Sequence, residues 1–344
     1  MKSKLLQQLE ERPILAKTYW KDLYNIDIEE LKKMYSHPSR GYHNWEHVDN
    51  VLYHIEQSIG YDDNGMVLRI AALFHDAIYD SRRNDNEVKS AKLVHDIKLS
   101  DPLKKRIMDI ILFTTYTREP ETEEESIFMD ADLSIFNGTQ EDMVAFELGI
   151  LHEYSWVPLN VYIEERCKVL EKIRDKFHID TWFNITWLRT KIWNIGVYAG
   201  SFYPMTIGHM DILNQARKIF DRVIVVKSSD DRVQRKTKFE WDDFTFGRLN
   251  KCLDNFETYQ VKDLITDNLR DIKEMYGSAT LIRGLRNGSD LQYEQNYLQT
   301  LREIDPSVQF VTFLSRPEFA HVSSSMVREL LSVDPKLAKR YYEF

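Results

Sequence analysis

Apolar residues recur at helical spacing through the first half of the chain. Val67, Ile70, Ala71 and Phe74 form one stripe, and Met143, Phe146, Ile150 and Leu151 suggest another; steps of three and four place such side chains on one helix face. Strand-like alternation is scarce there and Gly is sparse, so a mostly helical domain is predicted. The pattern changes near residue 190. Ile195 to Ala199 reads as a short apolar strand, followed by a turn-rich loop from Gly200 to Gly208 and a helix with Ile212, Leu213, Ala216, Ile219 and Phe220 apolar. Val223 to Val226, Ala279 to Ile282 and Val308 to Phe313 read as further strands. Strands alternating with helices predict a parallel sheet with helical crossovers. The boundary is expected between residues 185 and 194, dividing an all-α domain, 1–188, from an α/β domain, 189–344.

Composition supports two folded domains. A chain of 344 residues with 43% hydrophobic and 12% aromatic residues can bury two cores. The formal net charge of -9 argues against a general nucleic-acid binder, which needs an excess of phosphate-neutralising cations. Only Cys167 and Cys252 are present, which excludes a disulfide framework or a Cys metal cluster and fits a reducing compartment. The first eleven residues lack the apolar core of a signal peptide, and no apolar run reaches membrane-spanning length. A soluble, cytoplasmic protein is expected, with no membrane or nucleic-acid partner.

In the α/β half, the first strand runs into Gly200-Ser201-Phe202-Tyr203-Pro204-Met205-Thr206-Ile207-Gly208-His209 and then a helix. A helix start after such a strand is a ready anion site, because free N–H groups and the helix dipole favour phosphate. Gly200 and Gly208 would let the backbone approach a ligand, and His209 could donate to a phosphate oxygen. Alone, the segment reads rather as a tight turn with a capping His. Two distant segments change the odds. Arg283-Gly284-Leu285-Arg286 follows a predicted strand, where such sheets bind ligands, and paired Arg can clamp polyphosphate. Ser323-Ser324-Ser325 precedes an apolar-periodic helix; it is an ordinary N-cap or a second phosphate-binding helix start.

Together these segments resemble the phosphopantetheine adenylyltransferase family, within the nucleotidyltransferases that share a Thr/His-x-Gly-His signature, here Thr206-Ile207-Gly208-His209. The resemblance spans roughly residues 194 to 332. It includes Asp263-Leu264-Ile265 before the Arg pair and Asp290, Tyr293 and Glu294 after it. It implies a Rossmann-like fold and transfer of AMP from ATP, with Mg²⁺, to a small phosphorylated acceptor such as 4′-phosphopantetheine, a step of coenzyme A biosynthesis. By the resemblance, His209 would stabilise the reacting phosphate and Ser201 would orient the acceptor. Arg283, Ser323, Ser324 and Ser325 would hold the ATP phosphates. Arg286 would shape the same pocket, with Gly200, Phe202, Gly208 and Glu294 as further nucleotide-binding positions. An acceptor-binding Lys is expected after the second strand, where Arg235, Lys236 or Lys238 could serve and Lys236 is taken. Ser201 stands where the family usually has Thr, and Tyr203 where it usually has Asp, which bears on the acceptor. Nicotinamide mononucleotide adenylylation and cytidylyl transfer are the alternatives on this fold.

In the helical half, His75-Asp76 follows an apolar stripe, Tyr42-His43-Asn44-Trp45-Glu46-His47 lies upstream, and Asp130-Ala131-Asp132 downstream. Imidazole and carboxylate together suit first-row divalent ions. A lone His-Asp pair is weak evidence, as His95-Asp96 shows; that second pair reads as surface or partly buried. The fuller set resembles the metal-dependent phosphohydrolase superfamily named for its His-Asp motif, in the branch with a Tyr-His-Asn segment, over roughly residues 15 to 180. The resemblance implies His47, His75, Asp76 and Asp132 as ligands to a divalent metal (Mn, Fe, Co, Ni, Zn or Mg). His43 lies one helical turn before His47 and would face the same pocket if that segment is helical. Asp80 and Glu87 are candidates for general acid/base work, with a solvent-facing carboxylate equally fitting for Glu87. The acidic run Glu119 to Glu125 reads as a solvated loop.

The combined expectation is a bifunctional enzyme, a metal-dependent phosphohydrolase followed by an adenylyltransferase. A nucleotide-binding sensor with one inactive domain is the rival. Homo-oligomer formation is left open, because the extra helical domain could block or redirect assembly.

Overall fold

The computed structural model describes residues 17–59, 63–227, 256–260 and 265–342. Two compact units divide the chain: residues up to Tyr154 with Arg166–Leu188, and Ser155–Glu165 with Arg189 onward.

The first unit is helical. Its elements are α1 (Lys17–Tyr24), α2 (Ile28–Met34), α3 (Trp45–Ser58), α4 (Asp63–Phe74), α5 (Asn86–Leu93), α6 (Asp101–Phe113), α7 (Glu123–Asp132) and α8 (Gln140–Glu153). Two helices, α9 (Leu159–Phe177) and α10 (Trp182–Thr190), follow. The predicted stripe of α4 is fully inside, and so are Leu68, Ala72 and Leu73 between its members. A helix apolar all round must be central, and α4 packs against α3, α6 and α7. Burying these aliphatic side chains supplies about 1.5–3 kcal/mol each in transfer terms. That packing fixes the ends of α3, α4 and α7, where the chemistry-bearing residues emerge. The predicted stripe on α8 buries Phe146, Ile150 and Leu151, while Met143 is only partly covered. His95 and Asp96 are exposed in a short 3₁₀ turn.

Two expectations change here. His43 is not helical: α3 starts at Trp45, and the Asn44 side chain caps it by accepting the N–H groups of Glu46 and His47. The acidic run is not all loop either. Glu123 to Glu125 form the first turn of α7, where carboxylates suit the helix dipole, and Glu125 is buried against Arg118.

The second unit carries β1 (Ile195–Gly200), α11 (Ile207–Ala216), β2 (Arg222–Lys227), β3 (Phe256–Gln260), α12 (Ile265–Tyr276), β4 (Thr280–Leu285), α13 (Gly288–Ile304), β5 (Gln309–Leu314), α14 (Ser324–Val333) and α15 (Pro335–Lys339). The sheet order is β3-β2-β1-β4-β5, with every pairing parallel. Central strands β1 and β2 are apolar runs buried on both faces, as a parallel sheet covered by helices requires. Gly196 is compelled by that closeness: a Cβ there would lie 2.5 Å from Ile282 and 2.7 Å from the Phe220 ring. The chain leaves β1 toward β2 on one side, and β4 pairs on the other, so a crevice opens beyond the carboxyl ends of β1 and β4. Strand β3 escapes the sequence pattern because Phe-Glu-Thr-Tyr-Gln lacks an apolar run.

Candidate functional site

The crevice at β1 and β4 holds a cavity of about 360 Å³ lined by the Gly200–Phe202 turn, the start of α11, Arg283–Gly284, Arg286, and Ser323–Ser324. Phe202 sits in the left-handed region, at φ 45°, a strained choice for a side chain of its size. The turn folds its ring beneath Gly200, where a Cβ would meet the ring at 3.0 Å, and edge-on to His209 at 5.2 Å between centroids. Gly200 is therefore needed for close approach.

Thr206 caps α11 and forms a reciprocal box with His209. The Thr206 hydroxyl accepts the His209 N–H, and His209 Nδ1 accepts the Thr206 backbone N–H at 3.0 Å. A backbone N–H can only donate, so Nδ1 carries no proton and Nε2 does. Burial, then the Arg286 and Arg283 guanidinium groups, push the ring's pKa down to about 4. His209 is thus a neutral, fixed N–H donor on the pocket wall.

The two arginines differ. Arg283 donates through Nε and Nη2 to Glu294 at 2.8 and 2.7 Å and through Nη1 to the Ala199 carbonyl at 2.8 Å; its face rests on Tyr297. It is a held charge in the pocket wall, with Glu294 as its partner. Arg286 pairs with Asp290 through Nε and Nη2 at 2.9 and 3.1 Å and is 40% exposed, so it can present its remaining donors to an anion. Burial and Glu294 act oppositely on Arg283, and the net effect raises its pKa further.

Ser323 caps α14 by accepting the Met326 N–H, and the Ser324 hydroxyl donates to the Pro204 carbonyl at 2.8 Å. Both line the cavity. Ser325 is not among the lining residues; its hydroxyl accepts from Arg328 at 2.9 Å, and Arg328 also holds the Tyr203 carbonyl. Tyr203 is buried and does not line the cavity, whereas exposed Ser201 does. Lys236, with Arg235, Lys238, Asp263 and Leu264, lies outside the described residues.

In the helical unit, His47 comes from the first turn of α3, His75 and Asp76 from the turn just past the end of α4, and Asp132 from the last residue of α7. His47 Nε2 lies 3.1 Å from both His75 Nε2 and Asp132 Oδ1. Asp76 Oδ2 lies 3.1 Å from His75 Nε2 and 3.8 Å from His47 Nε2. The atoms of His47, His75 and Asp132 fit a common ion. His75 Nδ1 faces the Ala72 carbonyl at 2.9 Å, an acceptor, so that nitrogen is protonated and Nε2 turns its lone pair inward. Facing imidazole nitrogens beside two carboxylates demand a cation between them, a metal or a proton. With a proton alone, burial opposes but Asp76 prevails, and His75 is raised to about 9, while the histidines hold Asp76 far below the ordinary carboxylate range.

Several residues around this cluster were missed in the sequence. Glu153, buried at the end of α8, accepts the N–H groups of Tyr42 and His43, the His43 Nδ1 at 2.7 Å and the Tyr79 hydroxyl at 2.8 Å. It brings His43 Nε2 to 4.0 Å from Asp76 Oδ2, so His43 reaches the cluster without being helical. Buried Arg40 donates to the carbonyls of His43, Asp76 and Ala77. Tyr116, at φ 50°, donates to Asp132 Oδ2, leaving Oδ1 to the histidines. Only spacing over more than a hundred residues links Glu153 to His43, so no local signal marks it. Asp80 is exposed and accepts the Arg82 N–H. Glu87 is partly buried in the first turn of α5. Neither is among the side chains that meet in the cluster.

Residues 197–330 match the family described as cytidylyltransferase-like. Phosphopantetheine adenylyltransferase of Streptococcus pneumoniae is 35% identical over 144 residues, covering 42% of this chain and 87% of that protein. That of Chloroflexus aurantiacus is 36% identical over 145 residues, covering 40% of this chain and 84% of that protein. No described helix is long and apolar enough to cross a membrane.

Proposed function

The chain belongs, through its C-terminal unit, to the phosphopantetheine adenylyltransferase family of cytidylyltransferase-like proteins, and on that premise we propose that it transfers AMP from ATP to a small phosphorylated acceptor, 4′-phosphopantetheine being the favoured one. An acceptor phosphate oxygen attacks the α-phosphorus, a new P–O bond forms, and the bond to the β-phosphate oxygen breaks to release pyrophosphate. No protein nucleophile is needed; such transfers rest on positioning and charge neutralisation. The observation that carries this reading is His209, held neutral with its Nε2 proton as the free donor by the Thr206 box. That donor stabilises charge growing on the α-phosphate oxygens without any reorganisation. Arg283, fixed by Glu294, and Arg286 supply positive charge opposite. The α14 start at Ser323 and Ser324 offers amides to the outer phosphates, and Ser201 stands at the acceptor side. Mg²⁺ accompanies ATP as part of the substrate. Pyrophosphate release from ATP with a panel of phosphorylated acceptors tests the reading, with His209→Ala as control.

For the helical unit we propose a metal-dependent phosphohydrolase acting on a small phosphate ester or nucleotide. The support is the convergence of His47, His75, Asp76 and Asp132, with His75 pinned in the ligating tautomer. These residues would hold a divalent ion, which supplies a polarised phosphoryl oxygen and an acidified water. His43, held by Glu153, stands beside Asp76 where a substrate phosphate would sit. One chain carrying both activities suggests linked substrates, the hydrolase acting on a compound the transferase makes or consumes. Metal analysis of the purified protein, and phosphate release by wild type against Asp76→Ala, test this reading; absence of both bound metal and hydrolysis would leave the unit a scaffold.

A further inference from the structure

One wall of the cavity comes from a segment with little regular structure. Ser315, Val322 and Ser323 belong to the β5–α14 connection, whose only regular element is a 3₁₀ turn at Pro317–Phe319, and Ser324 opens α14. An irregular segment holds a fixed geometry only where something anchors it. Ser324 ties the α14 end to the Pro204 carbonyl; the anchor at the β5 end is Asp211, two residues past His209 on α11. Asp211 is 2% exposed and lies outside the cavity lining. Its Oδ2 accepts the Arg316 backbone N–H at 3.0 Å, and Oδ1 accepts Arg316 Nε. Gln215, one turn on, donates to Asp211 at 3.1 Å and to the Leu314 carbonyl at 3.0 Å. The helix carrying His209 is thereby tied to the residues on both sides of Ser315.

A buried carboxylate is costly unless paired and fully hydrogen-bonded. Asp211 has a guanidinium, a backbone N–H and an amide, so it is satisfied, but a hydrophobic residue would pack the helix without this expense. What the carboxylate adds is direction. We propose that Asp211 is a positioning residue for the nucleotide phosphates: through Arg316 it holds Ser315, Ser323 and Ser324 at a set distance from His209. The inference rests on the reading that this pocket takes ATP. It places the effect on the nucleotide side, because the anchored wall includes the α14 start and not the Ser201 rim.

The test is calorimetric titration of the full chain with ATP and Mg²⁺, for wild type, Asp211→Asn, Arg316→Gln and the double variant, with thermal melts in parallel. Each single variant should fold and bind ATP about tenfold more weakly, a factor that corresponds to about 1.4 kcal/mol. The double variant should bind no worse than the weaker single one, because both remove one shared interaction. Where turnover is measurable, KM for ATP should rise while KM for the acceptor stays put. ATP affinity unchanged in a folded Asp211→Asn, or losses that add in the double variant, would overturn the inference. Failure of the wild type to bind ATP would instead overturn the reading of the pocket.

Discussion

On His209, acidification acts at a single atom, Nδ1. The ring's only vacant protonation position faces the Thr206 N–H at 3.0 Å, so a second proton must break the helix cap as well as enter a buried site beside two guanidinium groups. The fall from 6.5 to about 4 corresponds to about 3 kcal/mol favouring the neutral ring. Partial exposure of the side chain trims this to roughly 2 kcal/mol of stability. The sign follows from linkage. The unfolded chain takes up this proton near 6.5 and the folded chain near 4, so between those values the unfolded state binds more protons. The contribution is complete above pH 6.5 and is lost as pH falls toward 4. Histidine ring NMR of the labelled full chain, with the His209 resonances assigned through His209→Gln, should show the Nε2–H tautomer and a midpoint near 4. Arg286→Gln should move that midpoint upward, since Arg286 is the larger of the two electrostatic causes. A midpoint at or above 6.5, or a proton on Nδ1 at neutral pH, would refute the reasoning.

Two further outcomes concern the helical unit. Glu153→Gln turns one of the two accepting oxygens into an amide donor, so it can keep the N–H groups of Tyr42 and His43 or the His43 Nδ1 and Tyr79 hydroxyl but not both sets; it should destabilise that unit by about 1–3 kcal/mol, read by denaturant unfolding, and no loss would contradict the network. Adding Mn²⁺ or Co²⁺ at about a hundred times its dissociation constant should stabilise the unit by about 2.7 kcal/mol. Scanning calorimetry should show that shift in wild type and not in Asp132→Ala; equal melting with and without the ion would sink the metal assignment.

Patterning exposed the architecture where physics is local. The apolar runs of β1 and β2 and the stripe on α4 announce burial because such residues have nowhere else to go. Strand β3 pairs with β2 through its backbone but carries no apolar run, so nothing in its sequence distinguishes it from a loop. A capping His at position 209 was legible because its partner Thr206 is three residues away. Asp211 and Arg316, 105 residues apart, and Glu153 with His43, 110 apart, meet only through the fold. His43 shows how a correct destination can rest on the wrong route: it reaches Asp76 from a loop held by Glu153, not from a helix face. For Arg283 the sequence shows the charge at a strand end but not the Glu294 carboxylate and Ala199 carbonyl that hold it.

Pyrophosphate release bears most directly on the proposed activity. The full chain with ATP and Mg²⁺ is offered 4′-phosphopantetheine, nicotinamide mononucleotide and simple phosphate esters in turn, alongside His209→Ala. The expected result is release with 4′-phosphopantetheine and a kcat lower by about 10²–10³ in the variant, the cost of removing one preorganised donor. Release that is indifferent to His209, or silence with every acceptor while ATP still binds, would contradict adenylyl transfer in this pocket.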